Sequence, residues 1–92
     1  MPDVPTDRSS IIQYPCPFLI KVIGYNRPEF RPAVLAMVQA YAPEVVDQDI
    51  KPRLSADQNY LALSITLTAL SREQLDNIYR ALSGHEWVLM AL

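Results

Sequence analysis

Glycine is nearly missing from this chain: two in 92 residues, alongside one cysteine, one histidine and one tryptophan. Each scarcity removes a class of function. Gly24 and Gly84 stand far apart, whereas phosphate loops and dinucleotide fingerprints need several glycines within a few residues so that the backbone can approach phosphate. Cys16 has no partner for an internal disulfide, and one cysteine with one histidine is too few for a zinc site. No metal and no cofactor is expected, and the reducing cytoplasm is the expected compartment. Long apolar runs are missing as well. Lys21 breaks the first and Ser64, Thr66 and Thr68 break the second, so nothing reaches the roughly 20 residues of a membrane span. The opening MPDVPTDRSS has no signal-peptide apolar segment.

What is present describes a folded domain. Hydrophobic residues make up 50% and charged residues 20% of the sequence, a globular balance with room for a single core. Residues 1–10 are polar and proline-bearing without hydrophobic period, and are expected to form a flexible tail; residues 11–92 form the domain. The formal charge of −2 argues against a general nucleic-acid binder while leaving room for a local basic patch.

The hydrophobic period changes along the chain. Pro15 and Pro17 suit the mouth of a strand, which runs over Phe18–Ile23 and ends in a Gly24-Tyr25-Asn26 turn. Phe30, Val34, Met37, Val38 and Tyr41 then share one helical face, and Pro32 makes the first turn of that helix irregular or shifts its start toward Arg31. Val45–Leu54 reads as a strand whose proline and charges place it at a sheet edge. After a polar turn at 55–59, Tyr60–Ala69 alternates most cleanly, with Leu61, Leu63, Ile65 and Leu67 on one side. Ser71 and Gln74 have capping-box spacing ahead of Leu75, Ile78, Tyr79 and Leu82, and Gly84 ends that helix. Trp87–Leu92 is a final strand. The order βαββαβ gives an α+β, ferredoxin-like two-layer sandwich: a four-stranded antiparallel sheet with two helices on one face, the first and third strands central.

Several of these segments resemble a known family. YPCPFLIKVIG (14–24), NYLALSIT (59–66) and VLMAL (88–92), with the pairs Lys51-Pro52 and Asn59-Tyr60, are similar to the YbeD-like family of small bacterial proteins. The resemblance covers most of Tyr14 to Leu92. It implies a fold like that of ACT regulatory domains, which bind small ligands such as amino acids at subunit interfaces, and it draws attention to Gly24, Tyr25 and Asn26 as the corresponding ligand region. Two departures stand out. The loop Leu54–Gln58 is longer than usual and lacks an expected glycine, and Leu89 occupies a place where the family tends to carry a basic residue.

Lys21 sits in the middle of the first strand. With Phe18, Ile20 and Val22 toward the helices, Leu19, Lys21 and Ile23 point to the open face. There Lys21 approaches Ser64 or Thr66, with Lys51 and Arg53 beyond them, a cationic spot beside hydroxyls suited to a carboxylate or phosphate. The plainer alternative lays its stem over Leu19 and Ile23 with the head in water, or pairs it with Asp47 or Asp49. The Gly24-Tyr25-Asn26 turn offers backbone N–H groups to an anion, or is simply a turn. Cys16 reads as a small buried hydrophobe, His85 as a surface residue, and Asp47 with Asp49 as a solvated strand pair.

Three functions compete. A non-catalytic regulatory or adaptor domain would act by self-association and by binding a partner protein or small anionic ligand; the last strand, with Trp87, Val88, Leu89 and Met90, has no proline or charge to protect its edge and is the expected homo-oligomer interface. An RNA-binding module of RRM topology needs aromatics on the central strands, where Tyr60 stands at one end. An acylphosphatase-like hydrolase would use Arg27 and Asn26 but lacks the glycine-rich cradle. The first is the expected one; a membrane partner and nucleic acid are not expected.

Overall fold

The computed structural model describes residues 13–92. The tail expected over residues 1–10 lies outside the described residues, as do Ile11 and Ile12. Strand β1 spans Cys16–Tyr25, longer at both ends than its apolar run suggests. Ile20, Val22 and Gly24 are buried, while Leu19, Lys21 and Tyr25 are exposed, the period-two signature of a strand with one covered face.

Helix α1 spans Phe30–Gln39 and starts at Glu29 without a side-chain cap. Pro32 is its third residue, where the backbone N–H has no intrahelical acceptor, so the proline removes no bond and the first turn stays regular. Phe30, Val34 and Val38 are buried. Tyr41 lies past the helix end and is exposed, so it does not continue the apolar stripe.

The second strand is shorter than its sequence suggests: β2 spans Ile50–Leu54, and Asp47–Asp49 form a 3-10 turn. The cause is a local exchange of hydrogen bonds. Arg31 grips Asp47 through Nε to Oδ1 at 2.8 Å and Nη2 to Oδ2 at 3.1 Å, and donates to the carbonyls of Asp47 at 3.0 Å and Ile50 at 3.2 Å. Asp49 Oδ2 accepts the Val46 N–H at 2.9 Å. Side chains thus satisfy backbone groups that a strand would have paired. Asp47 and Asp49 do not form the expected strand pair, and Asp47 pairs with Arg31 rather than Lys21.

Strand β3 spans Tyr60–Ala69. Its hairpin with β2 is closed by Ser55 Oγ, which donates to Asp57 Oδ1 at 2.7 Å and accepts the Tyr60 N–H at 3.1 Å, while Asp57 Oδ1 also accepts the Asn59 N–H at 3.1 Å. The Ser55 hydroxyl first, then the Asn59 amide, hold the Asp57 carboxyl below its ordinary value. Gln58 takes φ 63°, the left-handed region that glycine occupies most easily. The glycine missing from this loop is therefore missing where the backbone would use it.

Helix α2 spans Arg72–Ser83. Ser71 Oγ accepts the Gln74 N–H at 3.1 Å; the Gln74 side chain accepts the Leu70 N–H at 2.7 Å and donates to the Tyr41 carbonyl at 2.8 Å. The capping pair thus also ties α2 to the chain end of α1. Strand β4 spans Val88–Ala91, and Trp87 precedes it.

The sheet order is β2-β3-β1-β4, every pair antiparallel. β1 and β3 are central, and Pro52 falls on the β2 edge, where a missing N–H is tolerated. Both helices cover the same face: Ile20, Val22, Leu63, Ile65 and Leu67 of the sheet share one core with Phe30, Val34 and Val38 of α1 and Leu75, Ile78 and Leu82 of α2. Among the described residues no helix is long and apolar enough to cross a membrane.

Candidate functional site

Among the described residues, no helix covers the second sheet face, to which strand parity sends every other side chain. Lys21 of β1 stands opposite Ser64 of β3, and so does Lys51 of β2 from the other side. Ser64 therefore separates two lysines whose backbones lie about 10 Å apart, two strand spacings. Two residue pairs along, on the same face, Arg53 and Ile23 flank Ala62, and Ile23 stands opposite Met90 of β4. Leu19 faces Thr66 and Tyr25 faces Tyr60. Leu92 exchanges both backbone hydrogen bonds with Lys21, at 2.9 Å and 2.7 Å, and extends the β4 pairing by one residue.

The electrostatics of this face oppose those of the whole chain. None of the four strands contains aspartate or glutamate, yet they supply Lys21, Lys51 and Arg53. Among the described residues these three form no ion pair, so they leave an uncompensated cationic triangle on a protein of net charge −2. Exposed apolar side chains border it: Leu19 at 56%, Met90 at 50% and Leu92 at 60% of full exposure.

Of the residues singled out in the sequence, Lys21, Lys51, Arg53, Ser64 and Thr66 lie on this one surface. The Gly24-Tyr25-Asn26 trio does not behave as a turn. Gly24 lies within β1, buried, on the helix-facing side. The Tyr25 N–H is bonded to the Trp87 carbonyl at 3.2 Å and the Asn26 N–H to the Asn59 carbonyl at 3.1 Å, so these donors are committed to the fold. The Asn26 side-chain amide donates to the Gln58 carbonyl at 2.8 Å. Asn26 thus joins the end of β1 to the β2–β3 hairpin.

Tyr25 belongs to the open face, and the sequence reading missed it there. Its ring lies 6.1 Å from that of Tyr60, tilted by 35°, giving an aromatic pair across the two central strands. The signal was parity: carrying the alternation of β1 two residues past Ile23 puts Tyr25 on the side of Lys21.

At the end of the sheet lies a cleft of about 480 Å³ lined by Tyr25, Asn26, Arg27, Asn59, Glu86 and Trp87. Arg27 stacks on the Trp87 ring at 4.8 Å, and His85 meets that ring edge-on at 5.0 Å while its Nδ1 accepts the Trp87 N–H at 3.1 Å. Trp87 is a partly buried anchor packed on the core. At the β4 edge, Leu89 is an unpaired bulge residue between the Met90–Ile23 and Val88–Gly24 pairs. Apart from this bulge, the β4 edge carries no proline or charge to keep another strand away.

Comparison with other proteins places the fold in a family. The family described as "Protein of unknown function (DUF493)" matches residues 9–92. The chain belongs to the DUF493 family. Relatives within it are called UPF0250 proteins. That of Paraburkholderia phytofirmans is 42% identical over 90% of this chain and 93% of its own length. The Neisseria gonorrhoeae protein is 42% identical over 94% of each chain. Among solved structures, the solution structure of protein HP0495 from H. pylori superimposes with a TM-score of 0.70, covering 100% of this chain and 98% of that one at 17% identity. This likeness supports the ferredoxin-like fold of the DUF493 chain and nothing about its activity.

Proposed function

We propose that this DUF493 protein is a non-catalytic adaptor whose open sheet face docks an acidic, partly apolar segment of a partner protein. One observation carries the reading: three cations that form no ion pair among the described residues, with no carboxylate on the strands beside them, in an acidic chain. Complementary charge steers encounter and fixes register, while the bordering apolar side chains supply affinity on desolvation. A free anionic metabolite on Lys21, Lys51 and Ser64 would use the same chemistry with less area.

The test is fluorescence anisotropy with a labelled twelve-residue peptide of alternating glutamate and leucine. Binding is expected, weakening with salt, and the double variant Lys21→Glu/Lys51→Glu is expected to lose at least about tenfold in affinity, roughly 1.4 kcal/mol. Arg72→Glu/Arg80→Glu makes the same change of net charge on α2 and is expected to leave binding intact. Equal losses from both double variants, or no binding by the parent protein, would remove the proposal. The Tyr25–Tyr60 pair beside Arg53 favours a second reading, stacking of single-stranded RNA bases. A twelve-nucleotide oligouridine that binds in the same assay, where the peptide does not, would put that reading first.

Self-association belongs to the same proposal and uses a different surface. A copy packed face to face would set Lys21, Lys51 and Arg53 against themselves, whereas pairing along the outer edge of β4 covers Leu89 and leaves the face free. Sedimentation at micromolar concentration is expected to find a dimer for the parent protein and a monomer for Leu89→Lys. A parent protein that sediments as monomer throughout would remove the dimer.

A further inference from the structure

The proposed docking face is not flat. Ala62 lies in the row between Arg53 and Ile23, and its short side chain leaves a hollow of about 260 Å³ lined by Ile23, Arg53, Leu54, Ser55, Tyr60 and Ala62. Small-molecule sites run from about 300 to 1,000 Å³; this open hollow lies just below that range and has room for a single large side chain. Ile23, Tyr60 and Ala62 of the open face line it together with Leu54 and Ser55 from the end of the hairpin, and one cation, Arg53, stands at its side.

We propose that this hollow seats one large apolar side chain of the partner segment, phenylalanine or leucine, and that the segment carries a carboxylate two residues away. The inference rests on the docking reading above and adds a sequence pattern to it. An extended segment laid along β3 presents side chains to the sheet every second residue, about 6.6 Å apart. Ala62 and Ser64 have that same spacing on β3. An apolar side chain seated over Ala62 therefore brings the carboxylate two positions away over Ser64, between Lys21 and Lys51. Arg53 remains beside the anchor, able to meet a second carboxylate next to it in a bidentate grip. Anchoring one apolar side chain in a hollow beside a cation, where docking excludes water, matches the way interface energy concentrates in a few residues. It also gives the apolar residue a fixed register that charge alone does not give.

Three peptides of equal composition settle the matter: one with Phe-Ser-Glu spacing, one with phenylalanine and glutamate adjacent, and one with alanine in place of phenylalanine and a phenylalanine moved to the terminus. The parent protein is expected to bind the first at least tenfold more tightly than the other two. Ala62→Met fills the hollow from an exposed face, and is expected to bring the first peptide down to the level of the third while leaving the third unchanged. Equal affinity for all three peptides, with loss on Lys21→Glu, would overturn the anchor and leave the docking reading standing. No binding of any peptide by the parent protein would overturn both. If Ala62→Met lowers the melting temperature by more than a few degrees, the ranking of the three peptides on the parent protein decides the outcome alone.

Discussion

Gly24→Ala is expected to lower stability by roughly 3 kcal/mol, the upper part of the range for forcing atoms into a packed core. The reason is space, not backbone conformation, since Gly24 has no positive φ. A methyl group built at Gly24 falls onto the carbonyl oxygen of Trp87 and onto the Phe30 ring, with Phe30 Cε1 at 2.6 Å. The ring is the first residue of α1 and fully buried, so it cannot swing away. The carbonyl is held by the Tyr25 N–H at 3.2 Å, next to the bulged register of β1 and β4. Relief therefore demands movement of either the helix or the edge strand. Gly84 is the internal control: its added methyl meets the Arg80 carbonyl at 3.4 Å, ordinary contact near a helix end, so Gly84→Ala should be close to neutral. Urea denaturation of the two variants checks both. A Gly24→Ala midpoint within error of the parent value would show that β4 or α1 yields more easily than close packing allows.

Gly24 also marks the boundary of what the sequence disclosed. Its neighbours Tyr25 and Asn26 made it look like punctuation, and nothing local says that Phe30 needs the room. By contrast, the alternation of Leu61, Leu63, Ile65 and Leu67 is a property of adjacent residues and gave β3 directly. The Ser71–Gln74 pair did the same for the start of α2, because a cap is made within four residues. The segment Val45–Asp49 alternates too, but Arg31, sixteen residues from Asp47, takes over the hydrogen bonding there; a contact of that range leaves no local pattern. The candidate face divides in the same way. Lys21, Ser64, Lys51 and Arg53 come together through parity and strand order, both readable from the chain. The hollow over Ala62 depends on register across three strands and the Tyr25–Tyr60 pair on register across two, and register is fixed only when the sheet assembles.

Phe30→Ala is expected to cost about 3–5 kcal/mol, the range for truncating a buried aromatic side chain. The upper end applies here because of Gly24. A cavity shrinks when neighbouring side chains lean into it, and on the sheet side the neighbour is a glycine, which has none to lean. Against a total stability of about 5–15 kcal/mol, such a loss brings the folded state near balance with the unfolded chain, and the urea midpoint should fall steeply while the slope of the transition stays unchanged. The two sites are also expected to couple. In Gly24→Ala/Phe30→Ala the new methyl enters space vacated by the ring, so the double variant should be more stable than the sum of the single losses implies, by at least about 1 kcal/mol. It should not recover fully, because the Trp87 carbonyl still confronts the methyl from the other side. Strict additivity of the two losses would mean that Phe30 and Gly24 do not share the space assigned to them, and that the ring is held by α1 and the rest of the core alone.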